Sequence, residues 1–367
     1  MKYYFTSESV TAGHPDKICD QISDAILDEA IRQDPFSKMA VECTIKDTFI
    51  LIYGEANTKA IIPYETIAKE VISSIGYTEE FEVCLKVAKQ SNEINNAVEN
   101  SQELAAGDQG IIFGYACNET ESFMPLSIDL AHKLAKQLET VFKTDKNTPL
   151  RPDGKTQVTV EYENRKITRL DTIVVSSQHI AEISQKELKI YIKTKVIDPI
   201  VDSSLVDENT KYIINPSGSF ILGGPFGDSG TTGRKIVVDT YGGHGRIGGG
   251  CFSSKDATKV DRSAAYYCRY VAKNIVANRL ADKCEIQVSY AIGISKPLSI
   301  FIETFQSNHV DLDTIYNFVN QHFDFSVTNI LQELDLRRPI YRQTATYGHF
   351  GRTDLDLPWE KLKNLPL

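Results

Sequence analysis

Two stretches limit how this chain can fold, because neither suits the interior of a helix or strand. Residues 223–235 read GGPFGDSGTTGRK and residues 242–261 read GGHGRIGGGCFSSKDATKVD: glycine interleaved with Lys, Arg and Asp, and little that is apolar. Glycine lets backbone approach a ligand closely and take conformations that other residues avoid. Lysine and arginine in such loops supply charge and donors for phosphate oxygens, and aspartates can hold the Mg²⁺ that accompanies polyphosphate. Ordering so much flexible backbone is costly, and the same chemistry occurs in two neighbouring segments. Together they predict a nucleoside polyphosphate site.

The rest of the chain must supply the scaffold. Its 367 residues exceed one ordinary core and predict two or three domains. A hydrophobic content of 41% and a charged content of 24% suit a globular protein rather than a disordered one. The net charge of −9, from 40 basic and 49 acidic residues, argues against broad nucleic-acid binding and makes the basic residues of the glycine segments a local feature. The start, MKYYFTSES, has no apolar signal core and no run reaches transmembrane length, so no membrane association is expected. Seven cysteines (Cys19, Cys43, Cys84, Cys117, Cys251, Cys268, Cys284) lack CxxC pairing, which fits reduced thiols in a cytoplasmic protein better than disulfides or zinc.

Periodicity places the elements. Pro15 suits a first helical position, and Ile18, Ile22, Ala25, Ile26 and Ala30 share one face, predicting a helix over 15–34. Strands at 40–45 and 49–54 flank a turn at Lys46-Asp47-Thr48, and a helix at 64–75 stops at Gly76. Further strands are expected at 81–88 and 111–117, a helix at 128–142, and a hairpin of 157–162 with 167–175. A capping box, Ser184 to Glu187, opens another helix, and a strand lies near Tyr212. Beyond the glycine segments come a helix over 261–280, a hairpin around 293–297, and helices at 312–323 and 327–334. Residues 90–106 are polar and weakly periodic, either a solvated loop or a mobile lid. Without strict strand–helix alternation, the class is α+β with antiparallel sheets, and no internal repeat is visible.

Several short motifs occur in a fixed order: GHPDK (13–17), GDQG (107–110), RPDGK (151–155), GRK and KDATKVDRS in and after the glycine segments, YGHFGR (347–352) and PWE (358–360). Together they resemble the S-adenosylmethionine synthetase family over nearly the whole chain. Each motif alone is weak, and the ordered set is specific. The resemblance implies three similar α+β domains of antiparallel sheets with layered helices, divided into an N-terminal domain (1–90), a lid loop (91–106), a central domain (107–221) and a C-terminal domain (222–367). It implies methionine adenosyltransferase activity: methionine sulfur attacks the 5′-carbon of ATP, displaces the triphosphate, and the triphosphate is cleaved to pyrophosphate and phosphate. Thioether sulfur needs no general base, so the demand falls on aligning it and on stabilising a highly charged leaving group. A P-loop enzyme is disfavoured because Lys255 is followed by Asp256 rather than Ser or Thr. An inactive nucleotide-binding homologue acting as a partner subunit is disfavoured because no charged position is lost.

The resemblance also assigns residues. His14, by itself a helix cap, is implied to donate to the ATP oxygen leaving the 5′-carbon. Asp16, by itself a first-turn acid, and Asp261 are implied Mg²⁺ ligands, with two ions per site, and Glu42 a K⁺ ligand. Lys155, Arg234, Lys235 and Lys255 match triphosphate positions, the first three also catalytic with His14. Asp153, Gly154, Ser219, Phe220, Asp228 and Cys251 match nucleotide-binding positions, with Phe220 packing on adenine from a neighbouring subunit. Glu55, Gln90, Asp108, Asp228 and Lys259 match methionine-binding positions. The partners implied are ATP, L-methionine and a second copy in a homodimer with shared active sites, assembled as a homotetramer. This chain departs from the family pattern at Ala105 (usually Gly), Ser254 (Gly), Cys251 (Ala), Ser219 (Arg) and Asn92 (Pro). Cys251 beside the nucleotide is expected to make the protein sensitive to thiol oxidation.

Overall fold

The computed structural model describes residues 1–89, 104–363 and 365. In chain order they form β1 (Lys2–Val10), α1 (Pro15–Gln33), β2 (Lys38–Lys46), β3 (Phe49–Asn57), α2 (Tyr64–Ile75), β4 (Glu82–Ala88), β5 (Gly110–Cys117), α3 (Leu126–Thr144), β6 (Leu150–Glu163), β7 (Lys166–His179) and α4 (Gln185–Ile192). They continue with β8 (Lys211–Ile214), β9 (Gly230–Thr231), α5 (Ile236–Asp239), α6 (Val260–Ala277), β10 (Lys283–Tyr290), β11 (Ser299–Glu303), α7 (Leu312–His322) and α8 (Val327–Glu333). The expected lid at 91–106 lies outside the described residues except for its last three.

Local chemistry explains several boundaries. Pro15 opens α1 behind His14, whose extended backbone and side chain cap the helix. Gly76 ends α2 at a φ of 120°, donating its N–H to the carbonyls of Ile72 and Ser73. At α4 the Ser184 side chain accepts from the Glu187 N–H while Glu187 reaches back to the Ser184 N–H. The β6–β7 hairpin is longer than its sequence pattern suggests. Register shifts between Leu150 and Gly154 bend β6 and carry RPDGK into the strand.

Three sheets result, with strand orders β1-β6-β7-β8, β11-β10-β5 and β4-β3-β2-β9. Antiparallel pairing dominates, but β3–β4 and β7–β8 run parallel, in each case because an intervening helix (α2 or α4) returns the chain to the same end of the sheet. Strands distant in sequence are exchanged: β1 pairs with β6, β5 with β10, and β2 with β9. One large apolar core gathers α1, α2 and α6 against the second and third sheets, and another joins α3 and α4 to β6 and β7.

Two late motifs fasten this core. Glu360 of PWE accepts from both Arg269 and Lys273 of α6 and from the Gly351 N–H. Trp359 stacks on Tyr266 with ring centroids 3.9 Å apart, and His349 of YGHFGR bonds the Tyr266 hydroxyl at 2.7 Å. No described helix is long and apolar enough to cross a membrane.

Candidate active site

Three motifs meet at the N-terminus of α1. Gly230 comes so close that an added Cβ would lie 2.2 Å from the Pro15 carbonyl oxygen, so only glycine fits there. This approach puts the Thr231 N–H 3.0 Å from Asp16 Oδ1 and brings the following GRK to the same carboxylate. Lys235 Nζ lies 2.5 Å from Asp16 Oδ2, and the Arg234 guanidinium 3.5 Å from Oδ1. Burial opposes ionisation of Asp16, but Lys235 and the Thr231 N–H outweigh it and the carboxyl titrates below its usual range.

His14 is buried beside them. Burial first, then the charge of Lys235, hold its pKa down at about 3, with Lys155 acting in the same direction and Asp16 and Asp228 against it. Its ring is therefore neutral at physiological pH. Nδ1 accepts the Asp16 N–H at 3.2 Å, so the ring proton resides on Nε2, leaving that nitrogen a donor.

RPDGK completes this group. Lys155, exposed, pairs across the sheet with Val10, just before GHPDK. Asp153 is buried, and its Oδ2 accepts the Gly224 N–H at 2.8 Å, but its Oδ1 has no hydrogen-bond partner. Burial pushes its pKa up to about 6. A buried acceptor left open at a cleft of charged residues suits a ligand hydroxyl. Gly154 follows, where a Cβ would sit 3.1 Å from the Ser176 carbonyl oxygen. Half-buried Phe220 accepts the His179 N–H through its carbonyl and donates its own N–H to Nε2 of the His179 ring at 3.1 Å, and it lies next to Gln178, whose side chain joins the Asp153 N–H to the Ile221 carbonyl. Ser219 and Asp228 are exposed.

A second group forms around the start of α6. Lys255 pairs with Asp261 and Lys259 with Asp256 (3.4 Å). Gly110 packs on Asp261, where an added Cβ would lie 3.3 Å from Oδ1. Lys255 bridges to Ala40 of β2, and Glu55 of β3 stands opposite Ala40. Glu42 shares the outer face of that sheet, away from α1, and accepts the Tyr53 hydroxyl at 3.3 Å. Asp108 is exposed and bonds its neighbouring Gln109 N–H. Gln90 lies outside the described residues. Among the described residues, no hydrogen bond or ion pair joins this group to the one around Asp16.

The link between the groups is a feature the sequence expectation missed. Asp16, Asp20, Asp24 and Asp28 stand four residues apart on α1, so they form one row, and all are buried. Asp20 accepts the Gly233 N–H (2.8 Å) of the first glycine segment. Asp24 accepts the Ser254 N–H (3.1 Å) and Ser253 hydroxyl (3.0 Å) of the second and takes both oxygens to Arg262. Asp28 accepts the N–H groups of Tyr341 and Arg342, both at 2.9 Å. The helix thus holds both glycine segments by their backbones, with Asp16 and Asp24 about 12 Å apart along its axis. The signal was available as D-x-x-x-D repeated through PDKICDQISDAILDE.

Both aspartates matched to Mg²⁺ stand singly beside a lysine, and no cluster of three or more metal-ligating side chains occurs among the described residues. Mg²⁺ is commonly held by one or two carboxylates with substrate phosphates and water, so this donor set fits a cation that enters with a polyphosphate. Cys251 is half-buried, with its Sγ 2.6 Å from the Cβ position of Gly233, and burial pushes its thiol up to about 11, which disfavours the thiolate.

Comparison with known proteins gives matches to all three domains of S-adenosylmethionine synthetase: the N-terminal domain over residues 2–102, the central domain over 103–220 and the C-terminal domain over 222–361. An S-adenosylmethionine synthase of Oenococcus oeni is 54% identical, with 99% of this chain and 97% of that protein aligned. One from Clostridium tetani is 51% identical, with 100% and 98% aligned.

Proposed function

The chain belongs to the S-adenosylmethionine synthetase family, and from that premise we infer that it joins the adenosyl group of ATP to the sulfur of L-methionine. The displaced triphosphate is cleaved to pyrophosphate and phosphate. The observation that carries this reading is the convergence on one helix N-terminus of a neutral imidazole donor, two cations and a buried carboxylate oxygen with no partner.

The proposed roles draw on that geometry and on the family resemblance. The Nε2–H of His14 is available to the oxygen that departs from the 5′-carbon and stabilises it as charge develops, without proton transfer being required. Arg234 and Lys235, with Lys155, receive the triphosphate, whose negative charge is also favoured at the start of α1. The open oxygen of Asp153 accepts from the nucleoside, near Gly154, Ser219, Phe220 and Asp228. Lys255 is a further triphosphate contact, beside Cys251. Glu55, Gln90, Asp108, Asp228 and Lys259 receive methionine, an acid and a cation being what its ammonium and carboxylate require. The family is metal-dependent, and here Asp16 and Asp261 are the proposed Mg²⁺ ligands and Glu42 the K⁺ ligand, the metal's contribution being to neutralise phosphate charge as it builds on the leaving group. A cytoplasmic location fits a chain whose described cysteines are all free thiols.

The separation of the two groups within one chain supports a site shared between two copies, the Asp16 group of one facing the Glu42, Glu55 and Asp261 group of the other. Sheet faces with exposed apolar residues supply the surface: Ile111 on β5 is 54% exposed and Phe49 on β3 is 43% exposed. A dimer of dimers is the proposed assembly. Incubation with ATP, methionine, Mg²⁺ and K⁺, read by mass spectrometry, should yield the sulfonium product. Lys235→Ala and Glu55→Ala chains, each inactive, should regain part of the activity when co-refolded, because a mixed dimer gathers both lesions in one site and leaves the other intact. Persistent inactivity in demonstrated mixed dimers would refute the shared site.

A further inference from the structure

Lys17 is the one ionisable member of GHPDK that the proposed chemistry does not use, and of the three ionisable members it is the most deeply buried. It is 0% exposed, in the first turn of α1, where the helix dipole disfavours a cation. Its Nζ donates to Asp20 Oδ2 at 2.9 Å and to Asp239 Oδ1 at 2.5 Å. Both carboxylates are buried as well. Such buried ionic groups are often no more stabilising than apolar side chains of similar volume, so stability alone does not explain the arrangement.

What the triad does show is a connection to the loop that carries the two cations. Asp20, held by Lys17 through one oxygen, accepts the Gly233 N–H through the other at 2.8 Å. Asp239, held by the same ammonium, ends α5, and its own N–H donates to the Lys235 carbonyl at 2.8 Å. Lys17 therefore fixes the backbone immediately before Arg234 and one helical turn after Lys235. Asp16, which those two side chains face, is its sequence neighbour. One ammonium sets the spacing between the start of α1 and both ends of this short loop.

We propose that Lys17 is a positioning residue that holds Arg234 and Lys235 at the separation a triphosphate requires, acting through Asp20 and Asp239 without touching the ligand. The inference rests on the triphosphate reading of Arg234 and Lys235. It does not concern the charge of the triad, which in the native protein sums to one negative charge if all three groups are ionised.

The charge can be held constant while the link is broken. Lys17→Met removes the cation and leaves two carboxylates unopposed, whereas Lys17→Met combined with Asp239→Asn restores the single negative charge, which then resides on Asp20 alone. The full-length protein, the double variant and Arg234→Ala are titrated with inorganic triphosphate by calorimetry, where stoichiometry reports the competent fraction separately from affinity. Methionine KM is measured alongside. Positioning predicts that the double variant binds triphosphate about tenfold to a hundredfold more weakly while its methionine KM stays within about twofold. A purely structural or electrostatic role predicts native affinity in whatever fraction is folded, and that result overturns the proposal, as does equal weakening toward both ligands. If the double variant does not fold, Asp20→Asn is titrated in its place. Asparagine can still accept from Gly233 but loses the ion pair, and the same two outcomes decide. Should Arg234→Ala bind triphosphate as the native protein does, the site reading itself fails. If Arg234→Ala weakens binding and the Lys17 variants do not, only the positioning inference falls.

Discussion

Removing the charge of Asp24 tests whether the aspartate row holds the active-site loops. Asp24 and Arg262 are both fully buried, and the guanidinium donates to the two carboxylate oxygens at 2.8 and 2.7 Å. Asp24→Asn keeps the shape but strands a buried arginine, which costs about 3–5 kcal/mol. In either orientation the amide NH2 meets a guanidinium N–H, together with the Ser254 N–H or the Ser253 hydroxyl, and leaves at least one donor unsatisfied at roughly 1 kcal/mol more. Set against the ~5–15 kcal/mol that holds a typical domain folded, this is a large fraction. The urea midpoint at fixed protein concentration should fall steeply. Asp24→Asn with Arg262→Met should recover much of the loss, since neither charge is then left alone. Arg262 also donates to the Lys255 carbonyl at 3.1 Å, so the single variant should lose activity before it unfolds, as Lys255 and Asp261 loosen. The reasoning fails if Asp24→Asn unfolds within about 1 kcal/mol of the parent, or if the double variant is no more stable than the single.

Gly230→Ala should force β9 away from α1, because the new methyl would meet the Pro15 carbonyl oxygen at 2.2 Å. Adenosyl transfer should fall more than tenfold while the far-ultraviolet circular dichroism stays native, and full activity would show that the close approach is dispensable. Asp153, with its pKa raised to about 6 by burial, carries its charge above that pH and loses it below. Its raised pKa makes the ligand-free protein bind a proton that the unfolded chain does not between about pH 6 and 4, so the ionised form is the costly one and the one that needs a ligand donor. Adenosine affinity measured by calorimetry should therefore drop about tenfold between pH 7 and 5, and Asp153→Asn should remove that dependence.

Much of this fold is legible because its signals are local. Pro15 and the apolar spacing of Ile18, Ile22 and Ile26 mark α1, Gly76 marks the end of α2, and Ser184 with Glu187 opens α4. What escapes is set by partners distant in sequence. β1 was not foreseen because it has no hairpin mate nearby, its register running from Lys2 opposite Glu163 to Val10 opposite Lys155. The parallel pairing of β3 with β4 and of β7 with β8 depends on how α2 and α4 pack. The reach of β6 into RPDGK depends on register shifts against β7, and those decide where Asp153 and Lys155 stand.

The site divides along the same line. Cations in glycine-rich motifs are conspicuous, whereas four acids at helical spacing look like a solvated face. Periodicity locates a face but says nothing about what covers it. Here the cover is backbone: Thr231, Gly233 and Ser254 N–H groups brought in by the two glycine segments. These N–H groups are held by carboxylates of the protein itself. The conformational cost of ordering those loops is thus met largely in folding. Contacts within the chain hold Arg234 and Lys235 facing Asp16, so less of the binding energy of ATP goes into arranging them and more remains for the step in which charge moves onto the leaving triphosphate.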